Sequence, residues 1–166
     1  VQVPSKHFWT AARNLCNKYG VLLILDEIPI ALGRTGKMFA FEHYDIEPDI
    51  LCLGKGLGGG IFPQAAIITR DEYNVFGSVS LGHYTHEKSP IGVIAGLSTI
   101  QYIEENKLLA KVQEDAVYML SELLRFQEKF SLIGDVRVIG LLWGLELVKD
   151  RSTKEKAFAE AEHVMY

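Results

Sequence analysis

Residues 21–27, VLLILDE, and residues 49–60, DILCLGKGLGGG, decide how this chain is read. Each holds a short continuous apolar run, the pattern of a strand covered on both faces in a parallel sheet. The first run, Val21 to Leu25, leads into an acid, Asp26. The second, Ile50 to Leu53, leads into Lys55, set among glycines at 54, 56, 58, 59 and 60. Working outward, Ser5 is placed to cap a helix whose apolar face is Phe8, Ala12, Leu15 and Tyr19, with Gly20 closing it. Gln64 to Thr69 reads as a third strand after the glycine turn and Pro63. Pro90 suits the first turn of a helix running to about Glu105, and a second helix spans about Lys107 to Lys129. Val136 to Ile139 and Leu141 to Val148 read as strands of a different sheet, as a hairpin or meander. The pattern is α/β followed by a small α+β region, with the boundary near Asn106 to Leu109.

Composition narrows the function classes. Of 166 residues 48% are hydrophobic and 23% charged, an ordinary soluble globular balance. The net charge of −4 offers no basic surface to nucleic acid or an anionic membrane. No apolar run approaches the roughly 20 residues that span a bilayer, and VQVPSKHFW does not read as a signal peptide. Cys16 and Cys52 stand alone, which argues against a disulfide or zinc framework and for a reducing cytoplasm.

A carboxylate ending one strand and a lysine in the turn after the next are what pyridoxal phosphate (PLP) chemistry requires. The lysine amine condenses with the cofactor aldehyde, and the carboxylate keeps the pyridine nitrogen protonated so that the ring accepts electrons. Taken singly, Asp26 reads as a strand-end turn former and Lys55 as a solvated loop lysine. An ATPase reading of LLILDE needs a G-x-x-x-x-G-K-[ST] loop, and none is present. The glycines after Leu53 do not match G-x-G-x-x-G opening a helix after a first strand, so a dinucleotide site fits no better.

Read as one signature, DE, GRTG, PDI and K with GGG in the stretch LCNKYGVLLILDEIPIALGRTGKMFAFEHYDIEPDILCLGKGLGGG resemble the core of the class III aminotransferases, the ornithine and 4-aminobutyrate aminotransferase-like PLP enzymes. SLIGDVRVIGLLWGLELV resembles the family's small-domain strand segment, so the resemblance covers almost the whole chain. It implies part of a fold-type I transferase: residues 1–106 as the C-terminal part of the PLP-binding large domain, with a mostly parallel sheet, and 107–166 as a linking helix and the start of the small domain. It implies Lys55 as the lysine that carries the cofactor and moves protons at the substrate carbon. Asp26 would pair with the pyridine nitrogen and Ile28 would pack on one ring face. Thr85 would reach the cofactor phosphate of a neighbouring subunit in a homodimer with a shared site. GRTG around Arg34 reads as structural, with Gly33 and Gly36 allowing a tight loop and Arg34 satisfying buried carbonyls.

Three departures from the family pattern stand out. Pro29 replaces a glutamine that bonds the cofactor's phenolic oxygen, and a proline side chain neither donates nor accepts. The T-F-G-G-N-P segment has become Thr85-His86-Glu87-Lys88-Ser89-Pro90, and Arg137-Val138 stands where the family has R-G. The first two point to an unusual reaction or substrate. Amino-group transfer from a small amine or amino acid to a keto acid or aldehyde is the leading expectation. Its rival is a PLP lyase acting on a β-substituted amine, such as an amino alcohol or its phosphate or phosphonate relative. A third reading is an inactive fragment that serves only assembly, since family members are more than twice this length and the chain is expected to start inside one domain and stop inside the next. His83, His86 and Glu87 lie close in sequence but do not form H-E-x-x-H, so a loop flanking the site is expected there and no metal.

Overall fold

A computed structural model describes residues 1–75, 77–79, 82, 85 and 89–165. They divide into two compact units, one of residues 4–33 and 37–109, the other of 1–3, 34–36 and 110–166.

The first unit opens with α1 (Lys6–Tyr19). The Ser5 side chain accepts the Phe8 N–H at 3.2 Å, and Gly20 ends the helix in a left-handed conformation. Strand β1 (Ile24–Asp26) pairs in parallel with β2 (Ile50–Leu53), which pairs antiparallel with β3 (Ala66–Thr69). Two of these strands are shorter than the apolar runs suggest, because pairing sets their ends. Ile24 faces Ile50, where β2 begins, so Val21 and Leu22 lie before the ladder, and the Leu23 carbonyl meets its start by accepting from Asp49 at 2.9 Å and Ile50 at 3.2 Å. Ala66 faces Leu53, where β2 gives way to the glycine turn, so Pro63 to Ala65 stay outside. Burial on both faces of β1 is also not observed. Ile24 is 56% exposed, because α1 packs chiefly on a 3-10 turn at Ala40–Tyr44 and α2 (Pro90–Glu105) on the turn at Lys55–Gly58. The core is Leu51, Leu53 and Leu57, with Leu25, Leu32, Phe39, Phe41 and Ile100 packed around them.

The second unit takes α3 (Leu108–Lys129) from residue 110 on, then β4 (Ile133–Ile139), β5 (Leu142–Asp150), β6 (Glu155–Lys156) and α4 (Phe158–Met165). Strands β4 and β5 form an antiparallel hairpin with an irregularity between Ile133 and Asp135. Leu123, Ile133, Val148 and Ala157 are its buried apolar residues. Arg34 to Gly36 join this unit through backbone. The Arg34 carbonyl accepts the Leu141 N–H at 2.8 Å, and the Gly36 carbonyl accepts from Gln113 Nε2 at 2.7 Å. Gly140, at φ +60°, turns the hairpin against Thr35, and a Cβ there would lie 2.4 Å from the Thr35 carbonyl carbon. Gly33 and Gly36 have positive φ, as a tight loop requires. The Arg34 expectation needs correction in one respect. Its side chain is exposed and bonds no buried carbonyl, because the loop is held by main-chain groups instead.

Candidate active site

Parallel pairing brings the end of β1 beside the end of β2, with Asp26 opposite Cys52. Three residues beyond Cys52, the chain enters the glycine turn at Lys55. Ligands of open α/β sheets gather outside the carboxyl ends of parallel strands, which is where both residues lie. Asp26 is exposed, and its Oδ1 accepts the Ile28 N–H at 3.0 Å, which aims the carboxylate. Ile28 is half-buried. Its Cγ2 lies 3.3 Å from where a Cβ on Gly54 would sit, so the two segments meet closely and a side chain before Lys55 would press on Ile28. Asp26, Ile28 and the turn bearing Lys55 therefore gather at one sheet edge. Lys55 is exposed at φ +45°, in the left-handed region, which Leu32, Asp45, Lys107 and Lys154 also occupy. A cavity of about 400 Å³ beside it is lined by Lys55, Pro63, Gln64 and Ala65. An accessible amine, a strand-end carboxylate and an apolar side chain between them are a donor set that fits a pyridine aldehyde cofactor.

Thr85 lies in an exposed turn, and no hydrogen bond among the described residues links it to Asp26 or Lys55. His83, Tyr84, His86, Glu87 and Lys88 lie outside the described residues. Pro29 is exposed, one residue beyond Ile28.

A family model, aminotransferase class-III, matches residues 1–164. The chain belongs to the class III aminotransferases. Within that family it is 56% identical, over its full length and 35% of the relative's, to the (R)-1-hydroxy-2-aminoethylphosphonate ammonia-lyase of Vibrio splendidus. It is 40% identical to the leucine/methionine racemase of Thermococcus litoralis, over 99% of this chain and 37% of that protein. Among solved structures, the taurine:2-oxoglutarate aminotransferase of Bifidobacterium kashiwanohense, in complex with PLP and glutamate, superposes with a TM-score of 0.83 at 31% identity, over 93% of this chain and 35% of that one. The chain spans about a third of the length of the curated relatives it matches.

Two buried carboxylates escaped the reading of the sequence. Glu27 is 2% exposed, and its carboxylate accepts the N–H groups of Ala40 at 2.7 Å and Phe41 at 2.8 Å. Burial pushes this carboxyl above its usual range, further than the two N–H groups pull it down, and Glu42 nearby adds to the rise. Asp49 accepts from the Arg13 guanidinium and from the Leu23 N–H, each at 2.7 Å, and from the Tyr73 hydroxyl at 3.3 Å. Burial opposes the charge of Asp49, yet these three donors outweigh it and hold the carboxyl below its usual range. Period-two alternation could have found Glu27, since Asp26 faces out and its neighbour must face in. Asp49 stands in the PDI motif, but nothing local marks the donors to its carboxylate, which come from three separate segments.

Proposed function

We propose that the protein is a PLP-dependent enzyme that releases ammonia from a small β-substituted amine, of the 1-hydroxy-2-aminoethylphosphonate class. The observation that carries this reading is the 56% identity to an ammonia-lyase over the whole chain, against 40% to a racemase and 37%, 41% and 40% to three aminotransferases. Lys55 would hold the cofactor through its amine, Asp26 would hold a proton at the pyridine nitrogen, and Ile28 would cover one ring face. When bound, PLP supplies an electron sink for the pair left by the broken substrate C–H bond. Lys55 Nζ takes that proton from the carbon bearing nitrogen and returns it later. Asp26 keeps its carboxylate aimed by the Ile28 N–H, and Ile28 excludes water from the ring face. The pair from the C–H bond expels the β-hydroxyl, which leaves with a proton as water. The enamine formed tautomerises to an imine, and one water hydrolyses it to an aldehyde and ammonia, so the water lost and gained cancel and no oxidant and no amino acceptor is required.

Amino-group transfer to a keto acid or aldehyde is the second reading, favoured by the likeness to the taurine:2-oxoglutarate aminotransferase. We also propose a homodimer in which Thr85 reaches the neighbouring cofactor phosphate. The exposed apolar side chains of Ile91, Val93, Ile94 and Leu97 on α2 support a covered surface there. A large-domain assignment for 1–106 and a small-domain assignment for 107–166 belong to the same reading. A cytoplasmic location is proposed from the two free cysteines; among the described residues no helix is long and apolar enough to cross a membrane.

The test is ammonia release by the full-length protein with PLP, on a 1-hydroxy-2-aminoalkylphosphonate, with and without 2-oxoglutarate. Ammonia without the keto acid supports the lyase. Turnover only with the keto acid, and with glutamate formed, overturns it in favour of transfer.

A further inference from the structure

We propose that Glu27 is the positioning residue of this site: its buried carboxylate, by capping the N–H groups of Ala40 and Phe41, fixes the strand end that presents Asp26 and Ile28. The inference rests on the functional reading above. It is drawn from how fully Glu27 is bonded. Its N–H donates to the Cys52 carbonyl at 3.0 Å, which adds a rung beyond the Asp26–Cys52 pair. Its carbonyl accepts from Ile30 at 3.0 Å and Ala31 at 2.9 Å, closing the turn that contains Ile28 and Pro29. Its two carboxylate oxygens each take one N–H at the start of the 3-10 turn Ala40–Tyr44, where backbone donors have no partner within the turn.

Asp26 has no comparable support. The bond that aims its carboxylate comes from the Ile28 N–H, so the direction of that carboxylate follows the backbone of residues 26–28. That backbone is held at Glu27 by its N–H on the Cys52 carbonyl and by its carbonyl on Ile30 and Ala31, and the carboxylate anchors the same residue to Ala40 and Phe41. Ile28 depends on the same turn for its approach to Gly54, and through Gly54 to Lys55. A buried acid is a costly way to fill space, and a leucine would serve packing alone at less expense. Two convergent acceptors are what a carboxylate supplies and an apolar side chain cannot. Glu27 touches neither the ring nor substrate in this account; it acts through Asp26 and Ile28.

The experiment compares Glu27→Gln with Asp49→Asn in the full-length protein loaded with PLP. The glutamine keeps the volume and one acceptor but turns an NH₂ toward a backbone N–H. Asp49→Asn is the control: another buried acid in the same unit, outside the site. Three readouts are taken: melting temperature, PLP dissociation constant, and the pH midpoint of the bound cofactor's visible band. The expected result is a PLP dissociation constant raised at least tenfold and a shifted midpoint in Glu27→Gln, with both unchanged in Asp49→Asn despite its lower melting temperature. Wild-type affinity and midpoint in Glu27→Gln would overturn the proposal, as would equal changes in Asp49→Asn. If Glu27→Gln does not fold, Glu27→Asp, which keeps the charge and withdraws it by one methylene, is compared with the same control on the same criteria. A wild-type protein that gains no borohydride-reducible adduct on Lys55 would overturn the functional reading, and this inference with it.

Discussion

The two ends of the β1–β2 pair are built on opposite terms. At the carboxyl end, Asp26 and Lys55 are exposed, the Asp26 carboxylate accepts a single neighbouring backbone N–H among the described residues, and Lys55 stands in a left-handed conformation. At the amino end, Asp49 is buried and bonded by Arg13, Leu23 and Tyr73, while its carbonyl accepts the Thr69 hydroxyl at 3.1 Å. One aspartate ties α1, the approach to β1, the end of β3 and the Asp71–Tyr73 turn to the start of β2. The contrast separates two uses of charge. Groups meant for a ligand are left short of partners, and groups meant for the fold are given a full set. Glu27 sits between the two cases. It is bonded like Asp49, but by backbone dipoles alone, and its carboxyl therefore shifts the opposite way.

The largest expected effect lies at the carboxyl end. Lys55→Ala in the full-length protein should abolish the borohydride-reducible PLP adduct and lower turnover by at least about 10²–10⁴-fold, the range for losing a general acid–base group. Its melting temperature should stay close to wild type, since the side chain is exposed and makes no hydrogen bond among the described residues. A normal adduct in that variant would remove the lysine from its assigned role.

Asp49→Asn should show the reverse pattern. Arg13 would keep its charge in a half-closed site, where its Nε already lacks a partner among the described residues. Removing one member of a buried ion pair costs about 3 kcal/mol or more, which a urea titration of unfolding would read directly. A loss no larger than that of a surface substitution would break the comparison between the two ends.

Much of this organisation was legible in the sequence, and the rest was hidden for identifiable reasons. The caps of α1, Ser5 and Gly20, act over three or four residues and were readable. Strand β2 matched its apolar run, and α2 started at its proline. Asp26, Ile28 and Lys55 were picked out by the ordered spacing of the signature, and the fold brings the segments that carry them to the same strand ends. The ends of β1 and β3 were not readable, because a strand's length is set by the partner it pairs with, far along the chain. Arg34 was misread for a related reason: its exposed charge drew attention, while its carbonyl makes the contact. The Asp49 cluster joins residues 13, 23, 69 and 73, and no window along the sequence contains them all.

The pH dependence of stability should sharpen the contrast by a smaller amount. Asp49 has a depressed carboxyl in the fold, so its contribution is full above the ordinary aspartate value of about 3.9 and is lost as pH falls through the folded value. Glu27 has a raised one, so its contribution is full below the ordinary glutamate value of about 4.3 and is lost as pH rises through the folded value. Unfolding free energies measured across acid pH should therefore lose their steepest acid limb in Asp49→Asn. In Glu27→Gln they should lose the decline that begins above about pH 4.3. The same change of slope in both variants would mean that the two carboxyls do not differ as described.

The smallest effect should come from the same helix that carries Arg13. Lys6, the first residue of α1, pairs with Asp45 in solvent, and the pairing holds the Asp45 carboxyl below its usual range. Sign, partner type and helix are shared with the Arg13–Asp49 pair, so the two differ chiefly in burial: side-chain exposures are 61% and 74% for the outer pair, against 15% and 7% for the inner. Exposed ion pairs are screened by salt and lose side-chain entropy when they form. Lys6→Ala should leave the urea midpoint unchanged within error at 0.15 M salt, while Asp49→Asn moves it clearly under the same conditions. A Lys6→Ala loss comparable to that of Asp49→Asn would show that charge itself, and not its removal from water, stabilises this end of the sheet.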